Sequence, residues 1–352
     1  MYKLSDIDSL HLELSSFCNA RCPRCIRNFY GAEINTGYVE HNMTLAEAKK
    51  IFPESFVSQL KYILYNGNLG DMVMNPETLD ISKWLLSVNP NLFIEANTNG
   101  SAGTTEFWES LAKIGIVVNF AIDGLEDTHH LYRQNTSWSR IIHNAKTFIA
   151  AGGTARWKMI KFTHNEHQLE QCKTLSENLG FTGFELSLYN RNQHNLGSPA
   201  FNKQGTFSHA VDNYQRTTDI NTLQKIAQNN WTIVKFNKSM YENVDCYAQK
   251  KHELFVNSLG EVYPCCFIGS NPKTLNHLSR AFGTKQLKPL VESIQNNALE
   301  NSLEKCIDWF NIITDTWDKN RLQLCDMYCG TNESVLNRTT HNNKIKTTHE
   351  QI

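Results

Sequence analysis

The sequence predicts an α/β fold built on parallel strands. Three observations carry this reading. Six short apolar runs recur over roughly the first 190 residues, amphipathic helical segments lie between them, and polar turns bearing Gly or Asn follow the runs. Such strand–helix repetition implies parallel strands joined by right-handed crossovers. Six units are too few for a closed eight-stranded barrel. Periodicity alone leaves an open or partial barrel, or a doubly wound sheet.

Leu10–Leu14 alternates apolar and polar residues and reads as the first strand. Lys61–Tyr65, Leu92–Ala96, Ile116–Ala121, Arg156–Lys161 and Gly183–Leu188 supply the other five. Thr44-Leu-Ala-Glu47 is a capping box that opens a helix to Phe52. Asn75-Pro76 predicts an N-cap and a first-turn proline for a helix over Glu77–Val88. Trp138, Ile141, Ile142, Ala145, Phe148 and Ile149 recur at helical spacing, and Gly152-Gly153 ends that helix. Asn165 opens another, ending at Gly180. Beyond Asn190 the pattern loosens, with one helix expected around His209–Gln228. Phe255–Tyr263 reads as a hairpin turning near Leu259-Gly260. From Thr331 onward the chain is polar and is expected to form a mobile tail.

Charge excludes some functions. Lys plus Arg number 34 and Asp plus Glu 35, for a net charge of −1. Nothing here predicts bulk attraction to nucleic acid or to an anionic membrane. No apolar run approaches the ~20 residues of a membrane span. The N-terminus lacks a secretory pattern, so the expected location is cytoplasmic. The ten cysteines are too few for a disulfide scaffold, and the expected compartment disfavours disulfides. Metal binding or core packing remains.

Spacing separates the two. Cys18-Asn-Ala-Arg-Cys22-Pro-Arg-Cys25 places three thiols directly after the first strand. Such a loop can wrap one inorganic centre. Three ligands suit a four-iron cluster with one open iron; the alternatives are zinc with a distant fourth ligand, or core packing.

Leu12-Glu-Leu-Ser-Ser-Phe-Cys18-Asn-Ala-Arg-Cys22-Pro-Arg-Cys25 resembles the opening of the radical S-adenosylmethionine superfamily. The resemblance covers roughly residues 8–190. It implies a partial (β/α)6 barrel whose Cys18, Cys22 and Cys25 hold a 4Fe–4S cluster, with S-adenosylmethionine chelating the open iron. Tyr65-Asn66-Gly67-Asn68-Leu69-Gly70-Asp71 resembles the loop that receives the cofactor's amino group, which assigns Asn66, Gly67 and Asp71 to cofactor binding. Asn97-Thr98-Asn99-Gly100 and Ala121-Ile-Asp123-Gly124 resemble two further rim motifs, which adds Thr98 and Asp123. Arg133 matches an arginine that approaches the cofactor carboxylate. The chain differs from the family at Arg24, where an aromatic residue is usual, at Asp71 for Glu, at the inserted Asn68-Leu69, and at Ala121 for Ser.

Cys246, Gly260 and Cys265, followed by Cys325-x3-Cys329, are similar to the entry of SPASM and shorter twitch domains, which bind auxiliary 4Fe–4S clusters. Three thiols for the first cluster and four for a second leave only three spare, so one auxiliary cluster fits. Its ligands would be Cys246, Cys265, Cys325 and Cys329, with Cys266 as a substitute for Cys265 and a zinc knuckle as the alternative. Cys172 and Cys306 read as core residues. His129, His130, Lys158 and His164 read as surface or hydrogen-bonded residues. The expected organisation is a barrel over 1–235, a cluster domain over 240–332 and a tail over 333–352. The resemblance implies hydrogen-atom abstraction from a small-molecule or peptide substrate, with a donor such as flavodoxin or ferredoxin. The opposing reading is a non-catalytic iron–sulfur or zinc-binding protein on a barrel-like scaffold.

Overall fold

The computed structural model describes residues 3–33, 38–188, 197–212, 215, 218–229, 243–269, 295–315, 317 and 321–331. The expected tail and the expected domain boundary near 235–240 lie outside these residues.

All six expected strands form: β1 (Ser9–Leu12), β2 (Tyr62–Tyr65), β3 (Phe93–Thr98), β4 (Val117–Ala121), β5 (Ala155–Lys161) and β6 (Gly183–Leu188). They pair in parallel and in sequence order. That order settles the architecture. A doubly wound sheet reverses direction at a switch point, which sends helices to both faces. Without a reversal, right-handed crossovers put every helix on one side, and the sheet curls into a partial barrel.

The crossovers are α1 (Leu45–Ile51), α2 (Glu54–Gln59), α3 (Thr78–Val88), α4 (Thr105–Ile114), α5 (Glu126–Tyr132), α6 (Trp138–Ala150) and α7 (Leu169–Asn178). They cover a core in which Ile63, Tyr65, Val118, Phe120 and Trp157 are fully buried. The Thr44–Glu47 capping box forms as read. Asn75, however, is not the cap of α3. Its amide donates to Leu14 O at 2.7 Å and Met43 O at 2.8 Å, so it ties two rim loops, and the helix starts three residues later.

The helix expected around His209 starts instead at Ile220. Ser198–Phe201 and Phe207–Val211 form an antiparallel hairpin, β7 and β8, and α8 spans Ile220–Asn229. Gly205 at φ 83° supplies the left-handed turn residue that makes a hairpin possible there.

The C-terminal part adds β9 (Asn243–Val244), α9 (Tyr247–Lys250), β10 (Glu253–Val256), β11 (Val262–Tyr263), α10 (Cys266–Gly269), α11 (Leu303–Asp315), α12 (Gln323–Cys329) and β12 (Gly330–Thr331). The expected hairpin is β10–β11. Its first strand also pairs in parallel with β1, so the main sheet has eight strands in the order β11-β10-β1-β2-β3-β4-β5-β6. Cys172 and Cys306 are fully buried, as expected of core thiols. Among the described residues no helix is long and apolar enough to cross a membrane.

Candidate functional site

The loops after β1 to β5 meet at the C-terminal rim of the sheet. The cysteine loop is pinned to that rim. Arg21 N donates to Gln134 O at 2.9 Å, and Asn135 Nδ2 to Asn19 O at 2.6 Å. Within the loop, Cys25 N donates to Cys22 O at 2.9 Å.

The three thiols are close enough to influence one another electrostatically. Burial pushes the Cys22 thiol up to about 11, with Cys25 and Asp123 adding to the rise and Arg133 opposing it. Burial, then Asp71, Cys22 and Cys25, push Cys18 up as well. Held as thiolates, such a group needs local positive charge, which an iron centre supplies. Two donors already face it: Arg133 Nη1 lies 3.8 Å from Cys22 Sγ, and Asn99 Nδ2 lies 3.7 Å from Cys18 Sγ. Among the described residues no three His, Cys, Asp or Glu side chains converge as on a single metal ion.

Asp71 organises the next two loops. Its buried carboxylate accepts from Thr98 Oγ1 at 2.8 Å, Asn99 N at 2.8 Å, Asn99 Nδ2 at 2.8 Å and Val73 N at 3.2 Å. Burial raises its pKa, and those donors oppose the rise. Both oxygens of Asp71 and the Thr98 hydroxyl are thus engaged within the chain. Asn66 O accepts from His11 Nε2 at 2.5 Å. Burial pushes the His11 pKa down to about 4, which leaves a neutral ring.

Sequence reasoning missed Glu13. This fully buried residue follows β1 and accepts from Leu69 N at 2.7 Å and Gly70 N at 3.1 Å. It thereby satisfies amides of the inserted stretch. The only sequence signal was an acid at the end of an apolar strand. Burial pushes its pKa from 4.5 up to about 7. The folded state then binds the proton more tightly than the unfolded chain. Its contribution is full below about pH 4.5 and is lost as pH rises through about 7, a change of roughly 3 kcal/mol. Glu13→Gln should remove that part of the slope between pH 5 and pH 8. Urea midpoints of both proteins at the two pH values check this.

The same loop needs Gly70. A Cβ there would lie 1.8 Å from Ser15 O, a backbone atom that cannot step aside. Gly70→Ala should cost ~3 kcal/mol or more, read as a fall in the urea midpoint.

Asp123 and Arg133 form a buried ion pair, with Arg133 Nε 2.6 Å from Asp123 Oδ2. Ile160 N donates to the other oxygen at 2.6 Å. Burial works against the Arg133 charge, but Asp123 and Cys22 outweigh it and push its pKa further up. His129, read as a surface residue, is buried: Asp123 N donates to its Nδ1 at 3.0 Å, and burial pushes its pKa down to about 3. His129 lies in α5, eight positions after the end of β4, and turns back under the rim, which a linear pattern does not show. Lys158 is half-buried beside Glu95 and Glu185, each at 3.5 Å.

The C-terminal thiols converge elsewhere. Cys246, Cys265, Cys325 and Cys329 line one apolar cavity with Phe310 and Trp317. Cys266 does not line it; its carbonyl accepts from Asn68 Nδ2 at 2.8 Å, joining the inserted rim loop to this region. The Cys329 thiol donates to Cys246, where the Ala248 and Gln249 amides add support, so Cys246 falls to about 6 and Cys329 rises. Burial pushes Cys325 up to about 12. The Trp317 side chain hydrogen-bonds Cys325 and opposes that rise.

Solved structures share this partial-barrel fold. SuiB of Streptococcus suis bound to S-adenosylmethionine aligns over 91% of this chain and 77% of its own, at 15% identity and a TM-score of 0.52. SuiB bound to its precursor peptide SuiA aligns over the same shares, at 13% identity and a TM-score of 0.50. At such identities the likeness is one of fold. By sequence, a tungsten-containing aldehyde ferredoxin oxidoreductase cofactor-modifying protein of Pyrococcus furiosus is 32% identical over 120 residues. That match covers 33% of this chain and 31% of the relative. No family model matches the chain.

Proposed function

We propose that this chain is a radical S-adenosylmethionine enzyme with one auxiliary iron–sulfur cluster. The observation that carries the reading is the run from Cys22 Sγ through Arg133 to Asp123, set on the rim that also holds Cys18, Asn99 and Asp71. Cys18, Cys22 and Cys25 would hold a 4Fe–4S cluster. Cys246, Cys265, Cys325 and Cys329 would hold the auxiliary one. When bound, the first cluster would supply an electron for reductive cleavage of S-adenosylmethionine, and so the radical chemistry needed to abstract a hydrogen atom from the substrate.

The chain's own residues set the conditions. Asp123 keeps Arg133 charged and aimed at Cys22, so a cation faces both the thiolates and any cofactor carboxylate. Asp71 fixes Thr98 and Asn99, which presents the Asn99 amide to Cys18. Glu13 holds the loop from Gly67 to Gly70 against β1, and Gly67 would offer its backbone to the cofactor, whereas the backbone groups of Asn66 are taken by Leu12 O and His11.

The SuiB complex with its precursor peptide supports a peptide substrate here. The cofactor-modifying relative supports a small molecule. The electron would come from a small donor such as a flavodoxin or ferredoxin. Anaerobic reconstitution tests the class. About eight irons per chain, with 5′-deoxyadenosine formed on adding dithionite and S-adenosylmethionine, is the expected result. Zinc without iron would instead favour the non-catalytic scaffold.

A further inference from the structure

Arg24 stands between Pro23 and Cys25, and its charged side chain is only 5% exposed. Burying a guanidinium is costly unless it is paired. Two of its partners lie more than 170 residues away, on both ends of the β7–β8 hairpin. Nε donates to Ser198 Oγ at 3.1 Å, and Nη2 lies 3.4 Å from Asp212 Oδ2. Asp212 adopts φ 56°, a left-handed conformation that Asp tolerates better than most residues. Its other oxygen accepts from Thr163 N, in the loop after β5, at 3.2 Å.

The hairpin is fastened along its length. Phe201 N donates to Tyr30 O at 2.8 Å, and His209 Nε2 contacts Leu131 O at 2.7 Å. Ala200 and Val211 share a buried apolar cluster with Cys22, against which Cys18 and Cys25 also pack. The hairpin therefore packs directly against the three-thiol loop.

We propose that Arg24 is a positioning residue that clamps this hairpin over the cysteine loop and shields Cys22 and Cys25 from solvent-borne reagents. The clamp itself stands on the contacts above. Its protection of a cluster rests on the proposed function.

Alkylation separates the two. The full-length chain, reduced and free of iron, is treated with iodoacetamide, and labelling of each cysteine is followed by peptide mass spectrometry. Arg24→Ala and Asp212→Asn should each speed labelling of Cys22 and Cys25 at least about tenfold, the worth of one charge-assisted hydrogen bond. Acceleration at Cys22 and Cys25 with Cys172 unchanged reports local opening. The double variant should be no faster than Arg24→Ala alone. Core Cys172 should stay unlabelled. If it reacts in Arg24→Ala, that variant has unfolded and Asp212→Asn, which can keep the Thr163 bond, decides. Unchanged labelling of Cys22 and Cys25 in the folded variants overturns the clamp. In a second arm, reconstituted Arg24→Ala should lose iron to a chelator faster than the native chain; equal loss overturns the shielding of the cluster. A native chain that takes up no iron overturns the proposed function and leaves the clamp to the alkylation result.

Discussion

Cys22→Ala is expected to lose about four irons per chain and to reduce 5′-deoxyadenosine formation at least about a thousandfold. Two remaining thiols could not hold the proposed first cluster, and among the described residues no other cysteine lies in the loop after β1 to replace the third. Cys22 is also the thiol that Arg133 approaches, so its loss leaves that charge facing an apolar wall. Cys172→Ala is the control. It deletes a fully buried thiol from the core. It should lower stability by roughly 1–2 kcal/mol and leave the iron count unchanged. Iron and product measured side by side check both. Full cleavage in Cys22→Ala would show that the cluster is held elsewhere.

Asp123→Ala should destabilise the chain by about 3–5 kcal/mol. Removing the carboxylate leaves Arg133 charged and buried, and strips Ile160 N of its acceptor. Most of the cost is the uncompensated guanidinium, so Asp123→Ala combined with Arg133→Met should recover much of it. Urea unfolding of both singles and the double gives the coupling. A loss below about 1 kcal/mol in Asp123→Ala would mean that water reaches Arg133 and screens it. S-adenosylmethionine binding to the two singles adds a second readout, since the proposed role of Arg133 toward the cofactor depends on Asp123 holding it.

The strands were legible because their apolar runs are local. So was the cysteine loop, whose three thiols lie within eight residues of chain. What was not legible came from distant partners. Asn75 looked like a helix cap, but Leu14 and Met43 claim its amide. His209 lay in an apparently helical stretch, but Gly205 and the pairing of β7 with β8 make it part of a strand. Arg24 was a departure from a familiar pattern, and only the hairpin beside it shows what the charge meets.

The C-terminal thiols show the same division. Spacing nominated Cys246, Cys265, Cys325 and Cys329 with Cys266 in reserve; the turn into α10 points Cys265, and not Cys266, into the shared cavity. Adjacent residues at a helix start diverge by about 100°, so only backbone direction separates them.

By itself the sequence determined the parallel α/β repeat and the three-thiol loop, because hydrophobic period and ligand spacing are short-range properties. The tertiary structure decided that the strands run in order without a switch point, that β10 extends the sheet beyond β1, and that Glu13 serves the rim. Those outcomes depend on which buried polar group finds a partner, and the partners lie tens to hundreds of residues apart.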